Sequence, residues 1–345
     1  MSFSENAITT RARAIYAKRL TAQNYKELMN CTSIAQAADY LSTKTQYFDP
    51  SLQFTSAKLN RMMLESLLKR SFIGQFSSLY KFSSLIGNKM CGYFVMLNEI
   101  TVILSCLRYV LAPNKLDIFI STPTFDNMSV GFDIVKLASA ESFEQMLSRL
   151  ENTEYYGVLK RFENEKIDML KIENALYGYL DEKICAIAKK SLSKKEYEEV
   201  YKVFAINSDL NFILKLLRLK KVFKCSPDEI KAYGFPSHAT MIREKEKEKM
   251  IASKDDEEFL KAVNETVYGD DSAALSIEDL TRWAREYEYK NYSKKILYST
   301  CPNTVMMCCF FLKKNEVKNI TNIIEGIKYG LEPEEMAKHL VGWEN

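Results

Sequence analysis

Glu99-Ile-Thr-Val-Ile-Leu-Ser-Cys-Leu-Arg108 occurs once near the first third of the chain and then returns in altered form. It reappears as Asp209-Leu-Asn-Phe-Ile-Leu-Lys-Leu-Leu-Arg218 and as Glu316-Val-Lys-Asn-Ile-Thr-Asn-Ile-Ile-Glu325. Counted from each acid, positions +1, +4 and +8 are Ile100, Ile103 and Leu107, then Leu210, Ile213 and Leu217, then Val317, Ile320 and Ile324. All are aliphatic. At about 100° per residue they share one stripe of a helix, with the acid on one edge and position +9 on the other.

Two further markers travel with this helix. Thr-x-Tyr stands at Thr45-Gln-Tyr47, Thr153-Glu-Tyr155 and Thr266-Val-Tyr268, and an aliphatic-Glu pair at Leu64-Glu65, Ile172-Glu173 and Ile277-Glu278. From the first copy to the second the Thr, the marker Glu and the stripe acid move by 108, 108 and 110 residues, and from the second to the third by 113, 105 and 107. A period of this length is a domain, not a solenoid unit. The reading is an all-α protein of three helical repeats, residues 1–112, 131–232 and 253–345, with linkers at 113–130 and 233–252, each marked helix burying its stripe within its own repeat.

Taken in order, helices are expected from about Thr10, at Asn24–Met29, at Ser33–Leu41 and over Thr55–Phe72, with Gly74 and Gly87 interrupting the path to the Glu99 helix. Ser142 is placed to cap a helix, and a long one runs near Asp168–Lys190. In Ser226-Pro-Asp-Glu and Glu332-Pro-Glu-Glu a proline at the first helical position and acids in the first turn announce two short helices. The run Arg243-Glu-Lys-Glu-Lys-Glu-Lys249 reads as a solvated helix face or mobile linker, with contact to a partner as the alternative.

Composition narrows the function classes. With 47% hydrophobic and 27% charged residues the 345-residue chain is globular, and its formal net charge of +3 provides no field favouring nucleic acid. Eight cysteines without a CxxC or regular framework, and no signal-peptide pattern at Met-Ser-Phe-Ser-Glu-Asn, suit a reduced cytoplasmic protein. Met90–Ala112 is dense in apolar residues but holds Asn98, Glu99 and Arg108, so no span is expected, and any membrane contact is expected through partners.

The two histidines, His238 and His339, lack metal-ligand spacing, and no GxGxxG, GxxxxGK[ST] or GxSxG loop is present. No catalytic, cofactor or metal residue is assigned. The repeat acids Glu99, Asp209 and Glu316, with Arg108 and Arg218 on the opposite edge, are the polar positions with a claim on function. They either hold one helix to its neighbour or face a partner. Glu325 stands where the third arginine should be.

The segments Asp209–Arg218 with Ser226-Pro-Asp-Glu-Ile230, and Lys314–Ile320 with Glu325-Gly-Ile-Lys-Tyr-Gly-Leu-Glu-Pro-Glu-Glu335, resemble the signature helices of the V/A-type ATPase C-subunit family, the counterpart of the eukaryotic d-subunit. The opening, with Asn24-Tyr25 before Thr45-Gln-Tyr47, is similar as well. The resemblance implies a funnel-shaped body of pseudo-threefold symmetry in the rotor, on the cytoplasmic face of the membrane. It further implies that the body joins central-stalk subunits D and F to the membrane ring of proteolipid subunits for proton or sodium transport. A generic α-helical scaffold with a different partner would show the same stripes.

Overall fold

The structure, a computed structural model, describes residues 3–48, 61–111, 130–235, 238–269 and 276–344. The expected inter-repeat connection at 113–130 lies almost wholly outside these residues. Among the described residues every regular element is helical, so the chain is all-α. In order the helices are α1 (Phe3–Ala17), α2 (Ala22–Met29), α3 (Ile34–Thr43), α4 (Arg61–Leu85), α5 (Gly92–Leu111), α6 (Ile134–Ala138), α7 (Phe143–Leu150), α8 (Glu154–Leu159), α9 (Met169–Ser191) and α10 (Lys194–Lys221). They continue as α11 (Pro227–Lys231), α12 (Glu244–Ala252), α13 (Asp256–Asn264), α14 (Leu280–Tyr298), α15 (Pro302–Tyr329) and α16 (Pro333–Ala337).

Their ends are set by local chemistry. Ser142 accepts the N–H of Gln145, Asp168 those of Leu170 and Lys171, and Ser226 forms a reciprocal capping box with Glu229 ahead of Pro227. Ser193 and Glu196 do the same for α10. At the other end of α15, Gly330 takes the left-handed conformation, φ 67°, which a side chain would strain.

The chain divides into two compact units. One holds the described residues up to Asn88 and from Tyr289 onward, and the other holds those between Lys89 and Glu288. In the first unit α1 lies on α15 and α4, which also pack on each other. The first half of α15 is buried on all sides from Pro302 to Lys313, which explains the apolar run Val305–Leu312. Its second half presents the stripe: Ile320 and Ile324 are fully shielded among Leu20, Leu28, Ala38, Leu41 and Tyr47. The stripe of the last copy is thus covered by short helices of the first.

In the second unit α5 packs against α9 and against α6 and α7, the opening helices of the following copy. The segment Lys89–Leu111 is long and apolar enough to cross a membrane by length and composition. Here it is a core helix, with Ile100, Ile103 and Leu107 fully buried. The covering of the first and third stripes by helices of another copy departs from the expectation that a marked helix buries its face within its own repeat.

Two further expectations are corrected. Gly74 lies inside the continuous helix α4, on an outward position, and only Gly87, at φ 75°, turns the chain. The charge run at 243–249 is not simply solvated: Glu246 and Lys247 are buried, Glu246 bonds the backbone N–H and the guanidinium of Arg243, and Met250 and Ile251 turn inward behind them.

Removing buried aliphatic carbon is expensive only where the site cannot collapse. Ile320→Ala is expected to lower the unfolding free energy by about 2–5 kcal/mol, whereas Val222→Ala, at a position 67% exposed, stays within about 0.5 kcal/mol. Urea unfolding midpoints of the two variants check this.

Candidate functional site

Each repeat acid sits in the same hydrogen-bond arrangement. Glu99 is buried on α5; one oxygen accepts the Tyr155 hydroxyl at 2.6 Å and the other the backbone N–H of Gly131 at 2.6 Å. Asp209 on α10 accepts the Tyr268 hydroxyl and the Met241 N–H, both at 2.8 Å, on one oxygen, and the Thr240 hydroxyl on the other. Glu316 on α15 accepts the Tyr47 hydroxyl at 2.5 Å and the Leu20 N–H at 2.9 Å, and the ammonium of Lys313 joins the first of these oxygens. We refer to the three as latches.

The tyrosines are those of the Thr-x-Tyr marker, and the threonine has a definite task. Thr45, Thr153 and Thr266 each donate a side-chain hydrogen bond to a carbonyl three or four residues back, at Leu41, Leu150 and Val263. In two of the three, Tyr47 and Tyr268, the same threonine oxygen accepts the tyrosine's backbone N–H at 3.2 Å. The threonine closes the end of a short segment and aims the next ring at the acid. Both markers stand out in the sequence, whereas their pairing does not. The available signal was separation: Tyr155 follows Glu99 by 56 residues and Tyr268 follows Asp209 by 59.

The electrostatics are those of closed, fully paired sites. Burial first, then the adjacent carboxylate, pushes the hydroxyls of Tyr47, Tyr155 and Tyr268 well above the ordinary tyrosine range, so each stays a donor. Burial also raises Asp209, against the lowering effects of Thr240, Met241, Tyr268 and Lys247. Gly131 approaches so closely that a Cβ there would stand 3.2 Å from Glu99 Oε1. Lys313, itself buried, lies 4.8 Å over the Tyr47 ring as well as against Glu316. The cavity beside Glu316 measures about 10 Å³, too small for a ligand.

The +9 positions lie on the surface. Arg108 is exposed and reaches Glu173, the second copy's marker glutamate, at 3.9 Å. Arg218 is exposed with its guanidinium 5.5 Å from the Phe223 ring. Glu325, where an arginine was expected, pairs with Arg61 at 2.7 Å, and Arg61 also holds Glu65, the first copy's marker glutamate, at 2.5 Å. The sign at +9 is reversed, yet the contact with the marker helix is kept. The structure therefore brings each acid together with a tyrosine and a backbone N–H, and leaves Arg108 and Arg218 outside those clusters.

The three carboxylates are buried, and both oxygens of each accept from the protein's own donors, which gives them a structural task. Among the described residues no three of His, Cys, Asp and Glu converge as a metal site. Among the described residues His238 lies 3.9 Å from Glu182. In an open groove of about 970 Å³ at the end of α10, Lys221 pairs with Asp256 at 2.6 Å and Lys220 donates to the carbonyls of Ile251 and Ser253.

An all-helical body whose recurrent polar residues are spent on its own coherence belongs to the class of non-catalytic assembly subunits. Residues 8–339 match the family described as ATP synthase (C/AC39) subunit, and the chain belongs to it. It is similar to the C-subunit of the A-type ATP synthase of Methanosarcina mazei, 25% identical with 96% of this chain and 91% of that one covered. It is likewise similar to that of Archaeoglobus fulgidus, 24% identical over 97% and 95%. It is a non-catalytic subunit of an ATP synthase, a membrane-associated complex whose other subunits are its partners.

Two measurements test the latches. Tyr155→Phe and Tyr268→Phe each remove one donor from a buried carboxylate and are expected to cost about 1–3 kcal/mol of stability, with Glu99→Gln milder than Glu99→Ala. Thermal unfolding of the variants would show it, and a change no larger than that of an exposed Tyr→Phe would refute it.

Asp209 sets a pH dependence. Its carboxyl is raised in the folded protein, so between the unfolded value and the folded one the native state holds more proton than the unfolded chain. That contribution to stability is complete below the unfolded value and is lost as pH rises through the folded one. Wild type should therefore gain stability relative to Asp209→Asn as pH is lowered through this window. Denaturant titrations at several pH values check the sign.

Proposed function

We propose that this chain is the coupling piece of a rotary ATP synthase, gripping central-stalk subunits D and F and seated on the membrane ring of proteolipid subunits, on the cytoplasmic face, during proton or sodium transport. The observation that carries the reading is the latch made three times with one chemistry, at Glu99, Asp209 and Glu316. A torque-bearing subunit must not shear internally. Buried carboxylates bonded to a hydroxyl and to backbone resist shear, because a displacement that opens the bonds leaves a charge unpaired in the interior.

Three equivalent modules about a pseudo-threefold axis, with the repeats near 1–112, 131–232 and 253–345, would offer similar surfaces to several subunits of a symmetric ring and one central opening to a single shaft. Arg108 and Arg218, exposed at the edges of their helices, are available to such partners. In this role the chain contributes contact and stiffness, with no nucleotide chemistry of its own.

Membranes from cells lacking this chain should lose ATP-driven ion pumping while the catalytic head keeps hydrolysing ATP, and restoring the chain should recover pumping. Normal pumping with the head still coupled to the ring in its absence would overturn the reading.

A further inference from the structure

One end of the first unit carries apolar side chains outward from two tethered turns. Helix α4 ends at Leu85, 86% exposed, before the reversal at Gly87. Helix α14 ends at Leu297 and Tyr298, 57% and 81% exposed. The two turns are held together, since Asn88 Nδ2 donates to Asn303 Oδ1 at 2.8 Å in the first turn of α15. Arg13 of α1 clamps the second turn, donating from Nε to the Ile296 carbonyl at 2.8 Å and from Nη2 to those of Leu297 and Ser299 at 3.0 Å. The exposed side chains are therefore displayed by fixed backbone.

Along the described stretches that carry them the charged side chains are bases. Among the described residues of the first unit, acids are absent from 6–26, 66–88 and 289–315, the stretches that carry or flank the two turns. Lys81 and Lys294 are exposed, Lys295 is half-buried, and Arg11 rests its guanidinium 4.2 Å over the Phe82 ring. Glu5, near the start of α1, is the closest acid along that helix. Across the whole chain the bases exceed the acids by only three, so this concentration is local.

Leucine and tyrosine tips within a basic, acid-poor surround match an anionic lipid interface. Aliphatic tips enter the boundary between headgroups and acyl chains, tyrosine rings favour headgroup depth, and lysine and arginine are drawn to a negative leaflet. An acidic protein would answer the bases. Separate side chains projecting from tight turns, instead of a flat apolar patch, suit a fluid surface better.

We propose that this end of the first unit, marked by Leu85, Leu297 and Tyr298, rests directly on an anionic lipid surface. The contact goes beyond the coupling role, in which the membrane is reached through partners, and does not depend on it.

The test uses the isolated full-length protein, without ring or stalk, in co-sedimentation with two kinds of vesicle. One is phosphatidylcholine alone, and the other is three parts phosphatidylcholine to one part phosphatidylglycerol, at about 0.1 M salt, where the screening length is near 10 Å. Wild type should sediment with the mixed vesicles at least tenfold more than with the neutral ones, and high salt should weaken it. The double variant Leu85→Asp/Tyr298→Asp should lose at least tenfold of that binding. Val222→Asp, an exposed apolar position in the other unit, should keep it, with circular dichroism confirming native helix content in both variants. No binding to the mixed vesicles, equal binding by the double variant, or equal loss in Val222→Asp would overturn the proposal. Absence of vesicle binding together with weakened recovery of an acidic subunit of the complex by the double variant would assign the surface to a protein instead.

Discussion

A carboxylate taken out of water must find donors, and in this protein that requirement decides where the long helices can sit. The penalty for an unpaired buried charge is several kcal/mol, larger than most single packing contacts can offset. Glu99, Asp209 and Glu316 are each admitted to the interior on the same terms, a tyrosine hydroxyl and a backbone N–H. These donors come from separate chain segments, so one carboxylate fixes three pieces of backbone at once. The variations obey the same need. Aspartate is one carbon shorter and recruits the Thr240 hydroxyl, while Glu316 keeps a buried ammonium, Lys313, beside it.

The donors also determine which segment covers which stripe. Tyr155 and Gly131 follow Glu99 in the chain, and Met241 and Tyr268 follow Asp209. For Glu316 the donors precede it instead, Leu20 and Tyr47, across 296 and 269 residues. The beginning of the chain thus completes the helix near its end, and the packing of Ile320 and Ile324 against Leu28, Ala38 and Leu41 is the apolar counterpart of that closure. Forming such a contact requires closure of nearly the whole chain as a loop, an entropic cost that grows only slowly with length. The latch and the apolar stripe offset it together.

Much of this was legible in sequence, and the division is physical. Stripes at +1, +4 and +8, the caps at Ser142 and Ser226, and the prolines opening α11 and α16 are local properties, set by residues within a turn or two of one another. The repeat acids and Thr-x-Tyr were visible as recurrent markers for the same reason. Their pairing was not, because a hydrogen bond across 56 or 269 residues leaves no local trace. Gly74 was misread because glycine is tolerated inside a long helix whose packing on neighbours outweighs its entropy cost. The charge run at Arg243–Lys249 is a helix with an exposed face, as its charges suggest, but Glu246 and Lys247 turn inward, Glu246 capping through Arg243, a contact its composition does not announce.

The reversed pair at position +9 separates what is fixed from what is exchangeable. In two copies that position is a base, Arg108 or Arg218, and in the third it is Glu325, which finds its cation in Arg61 on the marker helix. At the surface only the complementarity of such a pair matters, and either partner can carry either sign, since exposed ion pairs are weak and solvent tolerates both. In the interior the signs cannot be traded, because a buried tyrosine and a backbone N–H are donors whatever the helix brings. The acids are therefore held to Asp or Glu while the edge drifts. Buried bonds are also screened far less by salt than surface pairs. A body joined through its latches keeps its cohesion at ionic strengths where its +9 contacts loosen, and the surface is left to whatever the partners require.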